Sequence, residues 1–171
     1  MNRFFLITTL AALPLFAANP AMEPLWGYQG TWEFTKDTPG GAPVVNKIQN
    51  DCVDTGQFFV CQQTVDGKLI ALLTFTPTQT KGHYYTVPVL PNGHAAGHGE
   101  LEIEGDRWTY PRKEEVNGKT VYSRIVNVFS GKDHVRFEQS ESADGVNWKL
   151  LASGHEVRKS LNGTLPAPHH N

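Results

Sequence analysis

The chain is poor in most of the features that give a function away. Its 171 residues carry a net charge of only -2, with 19% charged residues. It therefore lacks the basic surplus that nucleic acid or an anionic membrane surface demands. It has two cysteines and no Cys-x-x-Cys, which argues against redox catalysis by a dithiol. There is no Gly-x-Ser-x-Gly nucleophile elbow. There is no Gly-x-x-x-x-Gly-Lys phosphate loop either. No window combines helical spacing with caps, and no internal repeat suggests a propeller. Beyond the N-terminus, no apolar run approaches the ~20 residues of a membrane-spanning helix.

What is present begins with an address. Asn2-Arg3 supplies a short positive region, and Phe4 to Phe16 is uncharged and mostly apolar. Small residues follow at Ala17, Ala18 and Ala21. This is the shape of a secretory signal peptide, assigned here to residues 1–21. An uncleaved anchor is the rival reading. Cleavage leaves about 150 residues, enough for a real core. The expectation is a periplasmic or secreted protein, not inserted in a membrane once the signal is removed.

Export makes a disulfide between Cys52 and Cys61 the natural reading of an even cysteine count. Thr55-Gly56-Gln57-Phe58 suits a two-residue hairpin, with Gly56 at the first central position of a type II′ turn. Pairing Thr55 with Phe58 brings Cys52 opposite Cys61. That pair falls at a non-hydrogen-bonded position, where Cα atoms approach to ~4.5 Å. Two buried thiols are the alternative.

The rest of the chain reads as strands divided by turn signals. Gly30 to Lys36 is the first, with Trp32 and Phe34 facing inward. Met22 to Gln29 is a lead-in whose Trp26 and Tyr28 plug one end. The cysteine hairpin runs to Val65. Asp66-Gly67 then predicts a type I′ turn into Leu69 to Thr76, apolar on both faces and read as the most buried strand. His83 to Leu90 contains Pro88, which marks a bulge or an edge. Glu100 to Glu104 alternates, with Leu101 and Ile103 inward. Arg107 to Glu115 places Trp108 and Tyr110 on one face. Asn117-Gly118 predicts a second type I′ turn into Thr120 to Phe129. His134 to Ser140 and Val146 to Lys159 complete the series. Residues 160–171 have no apolar period and read as a disordered tail.

About ten strands joined by short hairpins form an antiparallel meander, and a meander hides its edges best by closing. The expected fold is all-β, an antiparallel up-and-down barrel of about 8–10 strands over residues 22–159. A two-sheet sandwich is the alternative. A barrel of this size has room inside for one small ligand.

Gly30-Thr31-Trp32 on the first strand resembles the Gly-x-Trp signature of the lipocalin and wider calycin superfamily. The chain looks like small exported bacterial proteins of unknown function that carry a lipocalin-like barrel. The resemblance implies a structural role for Gly30 and Trp32, with the indole across one end of the barrel under an Arg from a late strand. Arg124, Arg136 and Arg158 are candidates, and Arg158 is favoured. The C-terminal helix and second signature of lipocalins are missing. Heme-binding nitrobindins also open with Gly-x-Trp, but their further Gly-spaced residues are not found here, so no cofactor is expected. Ser142-Ala143-Asp144-Gly145-Val146-Asn147-Trp148 resembles the Asp-box hairpin of sialidases and a turn of discoidin-type domains. Asp144 and Gly145 would stiffen that turn, and Trp148 would pack on the strands. A sugar-binding role is the minority reading.

Chemistry beyond this is thin. His94 and His98 lie in a Gly-rich loop without an evident third ligand, so no metal is expected. Ser153, His155 and Glu156 are close in sequence, but neighbouring strand residues point to opposite faces, which makes a poor triad. Glu114-Glu115 reads as a charged rim. The candidate ligand contacts are Trp32, Tyr85, Trp108, Tyr110, Tyr122 and Arg124. If Tyr122 and Arg124 face inward, the cavity suits an anionic or aromatic ligand. If they face outward, Phe129 fills the core.

Three functions remain open. The first is an exported carrier of a small hydrophobic or amphipathic molecule, requiring a cavity of at least ~300 Å³. The second is a hydrolase, isomerase or cyclase on the same barrel, requiring converging titratable groups. The third is an interaction or glycan-binding module with a filled barrel and an exposed aromatic patch.

Overall fold

The structure, a computed structural model, describes residues 19–37 and 42–161. The apolar N-terminal run and most of the C-terminal tail lie outside the described residues. A 3-10 helix, Pro20–Tyr28, precedes ten strands. These are β1 Gly30–Lys36, β2 Val44–Asp54, β3 Phe59–Val65, β4 Lys68–Pro77 and β5 His83–Val89. They continue as β6 Gly99–Glu104, β7 Arg107–Val116, β8 Lys119–Ser130, β9 His134–Ser142 and β10 Lys149–Ser160. Each strand pairs with the next, and β10 returns to pair with β1, so the meander closes into one antiparallel barrel. Ser160, read from sequence as the start of the tail, is the last residue of β10.

The turns follow their local chemistry. Asp66 and Gly67 both have positive φ, as do Asn117 and Gly118, which is what a type I′ hairpin needs. At the cysteine hairpin, Thr55 N–H donates to Phe58 O at 2.9 Å. Cys52 is then opposite Cys61, and the two form a disulfide with Cα atoms 4.0 Å apart. Pro88 lies beyond Thr86, where pairing between β5 and β6 stops, so its missing N–H costs no bond on that side.

The closing seam explains the first glycine of the Gly-Thr-Trp stretch. Gly30 has φ +115, and a Cβ there would lie 2.2 Å from Ser160 O. Across the same seam, a Cβ on Gly154 would lie 2.5 Å from Thr35 O. No side chain fits at either place without moving backbone. Closure thus requires glycine at both.

One end of the barrel is filled. The lead-in helix starts at Asn19, whose Oδ1 accepts from Ala21 N–H at 3.0 Å. It drops Met22 and Leu25, both fully buried, onto Phe59, Cys61, Phe75 and Leu101. Burying each is worth about 1.5–3 kcal/mol. The lead-in, read from sequence as placing Trp26 and Tyr28 over one end of the barrel, is a helix whose buried anchors are Met22 and Leu25. Tyr28 does reach inward, but Trp26 is 43% exposed and meets Phe59 only edge-on. β4 is also less buried than its apolar sequence suggests. Only Ala71 and Phe75 are buried there, because among the described residues no second layer covers its outer face. None of the helices among the described residues is long and apolar enough to cross a membrane.

Candidate ligand-binding cavity

The floor of the cavity is stapled by an arginine. Trp32 and Arg158 are partners across the β1–β10 seam, and the guanidinium lies 4.3 Å from the indole centre. Its Nη1 donates to Gln29 O at 2.9 Å. Its Nη2 donates to Gly27 O at 3.0 Å and to Lys132 O at 2.8 Å. Arg158 Nε lies 3.4 Å from Asp133 Oδ1. Burial lowers the guanidinium's proton affinity, and the Asp133 charge works the other way. Trp32 Nε1 donates to Tyr28 O at 3.0 Å. One cation thus ties the ends of the lead-in helix, β1 and the β9 turn together. The cation–π contact alone is worth ~1–2 kcal/mol when desolvated.

Above this floor lies a cavity of about 320 Å³. Tyr28, Trp32, Phe75, Trp108 and Phe129 line its lower part, with Tyr110, Ile125 and Phe137 higher up. The rings are fixed by each other. Trp108 stands 4.7 Å from Phe129 and 5.2 Å from Tyr28, centre to centre. The Tyr28 and Tyr110 hydroxyls are hydrogen-bonded to one another. Burial pushes the Tyr28 phenol well above its ordinary pKa, and the Glu156 charge adds to the shift. Asn50 and Gln63 also line the cavity, but their amides are spoken for. Asn50 Nδ2 donates to Tyr28 O at 3.1 Å, and Gln63 Nε2 donates to Asn50 Oδ1 at 3.1 Å.

The side chains of Glu156 and Asn127 are not. Glu156, on β10 opposite Phe34 of β1 and Val135 of β9, faces the cavity. Burial pushes its carboxyl from 4.5 up to about 7. Asn127, on β8, also faces the cavity. Its Oδ1 is shielded from solvent and has no hydrogen-bond partner among the described residues.

Of the residues singled out from sequence as ligand contacts, Trp32, Trp108 and Tyr110 line the cavity. Tyr85, Tyr122 and Arg124 do not. Tyr85 is 58% exposed on the outer face. Tyr122 and Arg124 share the outer face of β8, because Ile125, Asn127 and Phe129 take the inner one. Arg124 stacks on Trp148 at 3.9 Å, and Lys113 lies 5.7 Å above Tyr122. Arg124 is thus not among the residues that line this cavity.

Trp148 is held there by its turn. Asp144 Oδ1 accepts from Val146 N–H and Asn147 N–H, both at 2.8 Å. Asp144 Oδ2 accepts from Asn147 Nδ2 at 2.7 Å, and Ser142 Oγ donates to Oδ1 at 2.8 Å. These bonds, the Asn147 N–H first, hold the carboxyl far below the usual range. Gly145 lies against the Tyr122 ring. Tyr85, Tyr122 and Trp148 border a shallow outer groove with Arg112, Lys113 and Glu114.

Sequence reasoning missed Glu156 and Asn127. The signal for Glu156 was its spacing from Arg158. Two residues apart on a strand, they share a face, so an inward Arg158 implies an inward Glu156. Ser153, three residues from Glu156 on the same strand, is on the opposite face, where its Oγ donates to Asp37 Oδ2 at 2.6 Å. Among the described residues no three His, Cys, Asp or Glu side chains gather in a metal-binding arrangement.

No family model matches the chain, and no curated protein matches it. Among solved structures it is similar to the crystal structure of Rv2717c from M. tuberculosis. The identity is 16% and the TM-score 0.46, over 84% of this chain and 100% of that one.

Proposed function

We propose that the protein is an exported carrier that holds one small, largely apolar molecule inside the barrel. The observation that supports this most is the aromatic-lined cavity of about 320 Å³ resting on a filled floor. Ligand cavities start near ~300 Å³ and are mostly apolar with a few polar groups. Export rests on the N-terminal signal-like stretch and on the Cys52–Cys61 disulfide, a bond that persists in oxidising compartments.

Glu156 gives the enzymatic reading its one specific observation, since a carboxyl raised to about 7 suits proton transfer. Catalysis asks for a partner, however. The other titratable groups on the lining are the Tyr28 and Tyr110 hydroxyls, which are hydrogen-bonded to one another, and burial pushes the Tyr28 phenol up. The carrier reading is therefore preferred.

The test is titration with N-phenyl-1-naphthylamine, an uncharged fluorophore whose nitrogen is not basic. Saturable binding with quenching of Trp32 and Trp108 is expected. Ile125→Trp, which fills the cavity, should abolish it, while Tyr122→Ala on the outer face should not. Saturable binding that survives Ile125→Trp, or no saturation at all, would sink the carrier reading.

A further inference from the structure

We propose that the molecule held in the cavity is an organic cation, an amine on an aromatic or alkyl body, with its ammonium paired to Glu156. This deepens the carrier reading and rests on it. The Glu156 carboxyl faces the cavity, yet it accepts no hydrogen bond and meets no cation among the described residues. A charge left so is costly, so the carboxyl either keeps its proton or is paired. The pairing group must come from inside the cavity, where no Lys, Arg or His is among the lining residues. Arg158 cannot serve, because its donors are committed to the carbonyls of Gln29, Gly27 and Lys132 and its face to Trp32.

Asn127, two strands from Glu156 and one inward position away along the barrel, adds a polar side chain to the same wall. An ammonium brings three donors and no acceptor, which suits the Glu156 carboxylate. The walls agree in sign. Trp108, Phe129, Phe137 and Tyr110 present rings whose negative faces attract cations. A carboxylate ligand would meet a like charge and no cation at all. The polarity is thus the reverse of what an inward Arg124 would impose.

The experiment compares three probes that share one ring system and differ in head group. They are 1-naphthylmethylamine, 1-naphthylmethanol and 1-naphthoate, titrated by calorimetry at pH 8, where Glu156 is ionised. The expected order is amine, alcohol, carboxylate, with the amine about tenfold tighter than the alcohol, the scale of one charge-assisted hydrogen bond. Glu156→Gln, nearly isosteric, should weaken the amine about tenfold and leave the alcohol within about twofold. The wild-type ranking does not depend on that variant folding.

Alcohol or carboxylate binding as tightly as the amine would overturn the inference, as would an amine affinity unchanged in Glu156→Gln. Failure of the amine while N-phenyl-1-naphthylamine binds would overturn it alone and leave the carrier reading intact. Failure of all four probes would remove both.

Discussion

The two ends of the barrel are built on different terms. At the floor, Met22, Leu25, Phe59 and Leu101 are fully buried, and the arginine staple closes over them. At the opposite rim, Val44, Leu69, Val116 and Leu150 are exposed. The same ten strands serve both ends, so strand pairing is not what distinguishes them. The difference is the lead-in helix. It brings two apolar side chains to one mouth, and no helix among the described residues does the same at the other. Stability is thereby concentrated at one end, and the cavity between floor and rim stays free to hold something. If that division is real, equal substitutions should cost unequal amounts at the two ends.

The seam is where the floor should break most easily. Gly30→Ala adds a methyl 2.2 Å from Ser160 O at φ +115. Overpacking against backbone and forcing a left-handed conformation together cost about 4 kcal/mol. Gly67→Ala, at a rim turn where an added Cβ meets nothing within 4 Å, should cost only about 1 kcal/mol. Urea denaturation of both variants measures the contrast. Equal losses would mean the ends are equally constrained.

Leu25→Ala removes a fully buried side chain from the lead-in helix and should cost about 3 kcal/mol. Leu150→Ala, 53% exposed near the rim, should stay within about 0.5 kcal/mol. Thermal unfolding of the pair tests whether the helix, rather than the sheet, carries the extra stability.

How much of this could be read from the chain depended on whether one local rule acted alone. Asp66-Gly67 and Asn117-Gly118 announce their turns because only a few residues tolerate positive φ. The hairpin register followed from Thr55 to Phe58 and carried the cysteines with it. β8 gave no such guidance. One face reads Tyr122, Arg124, Val126, Val128 and the other Ser123, Ile125, Asn127, Phe129. Each mixes apolar and polar residues, so alternation cannot say which is inside. The inner face carries Asn127 among apolar residues, and that mixture erases the pattern. Glu156 was hidden in the same way. The lead-in helix was hidden differently, since nine residues with two prolines show no helical period. Its anchors, Met22 and Leu25, gain their meaning only from the barrel mouth they cover.

Between floor and rim, Glu156 tests the cavity itself. The folded protein holds its proton up to about pH 7, whereas the unfolded carboxyl releases it near 4.5. Folding therefore takes up a proton between those values, and stability falls as pH rises through that window. The Glu156 contribution is flat on either side. The shift corresponds to at most about 3 kcal/mol. Glu156→Gln should flatten the profile and be the more stable protein at pH 8, with little change at pH 4. A wild-type profile without this slope would place the carboxyl in water rather than in the cavity.

The smallest effect belongs to the outer wall. Trp148 covers Arg124 at 3.9 Å, held by the Asp144 turn. Trp148→Ala should cost about 1 kcal/mol, the scale of a half-exposed cation–π contact and its packing. It should leave N-phenyl-1-naphthylamine affinity unchanged, because neither residue reaches the cavity lining. A loss of affinity in Trp148→Ala would show that the hairpin governs the cavity through the wall of β8. Inside and outside would then no longer be separable, and the Arg124–Trp148 pair would belong to the binding apparatus after all.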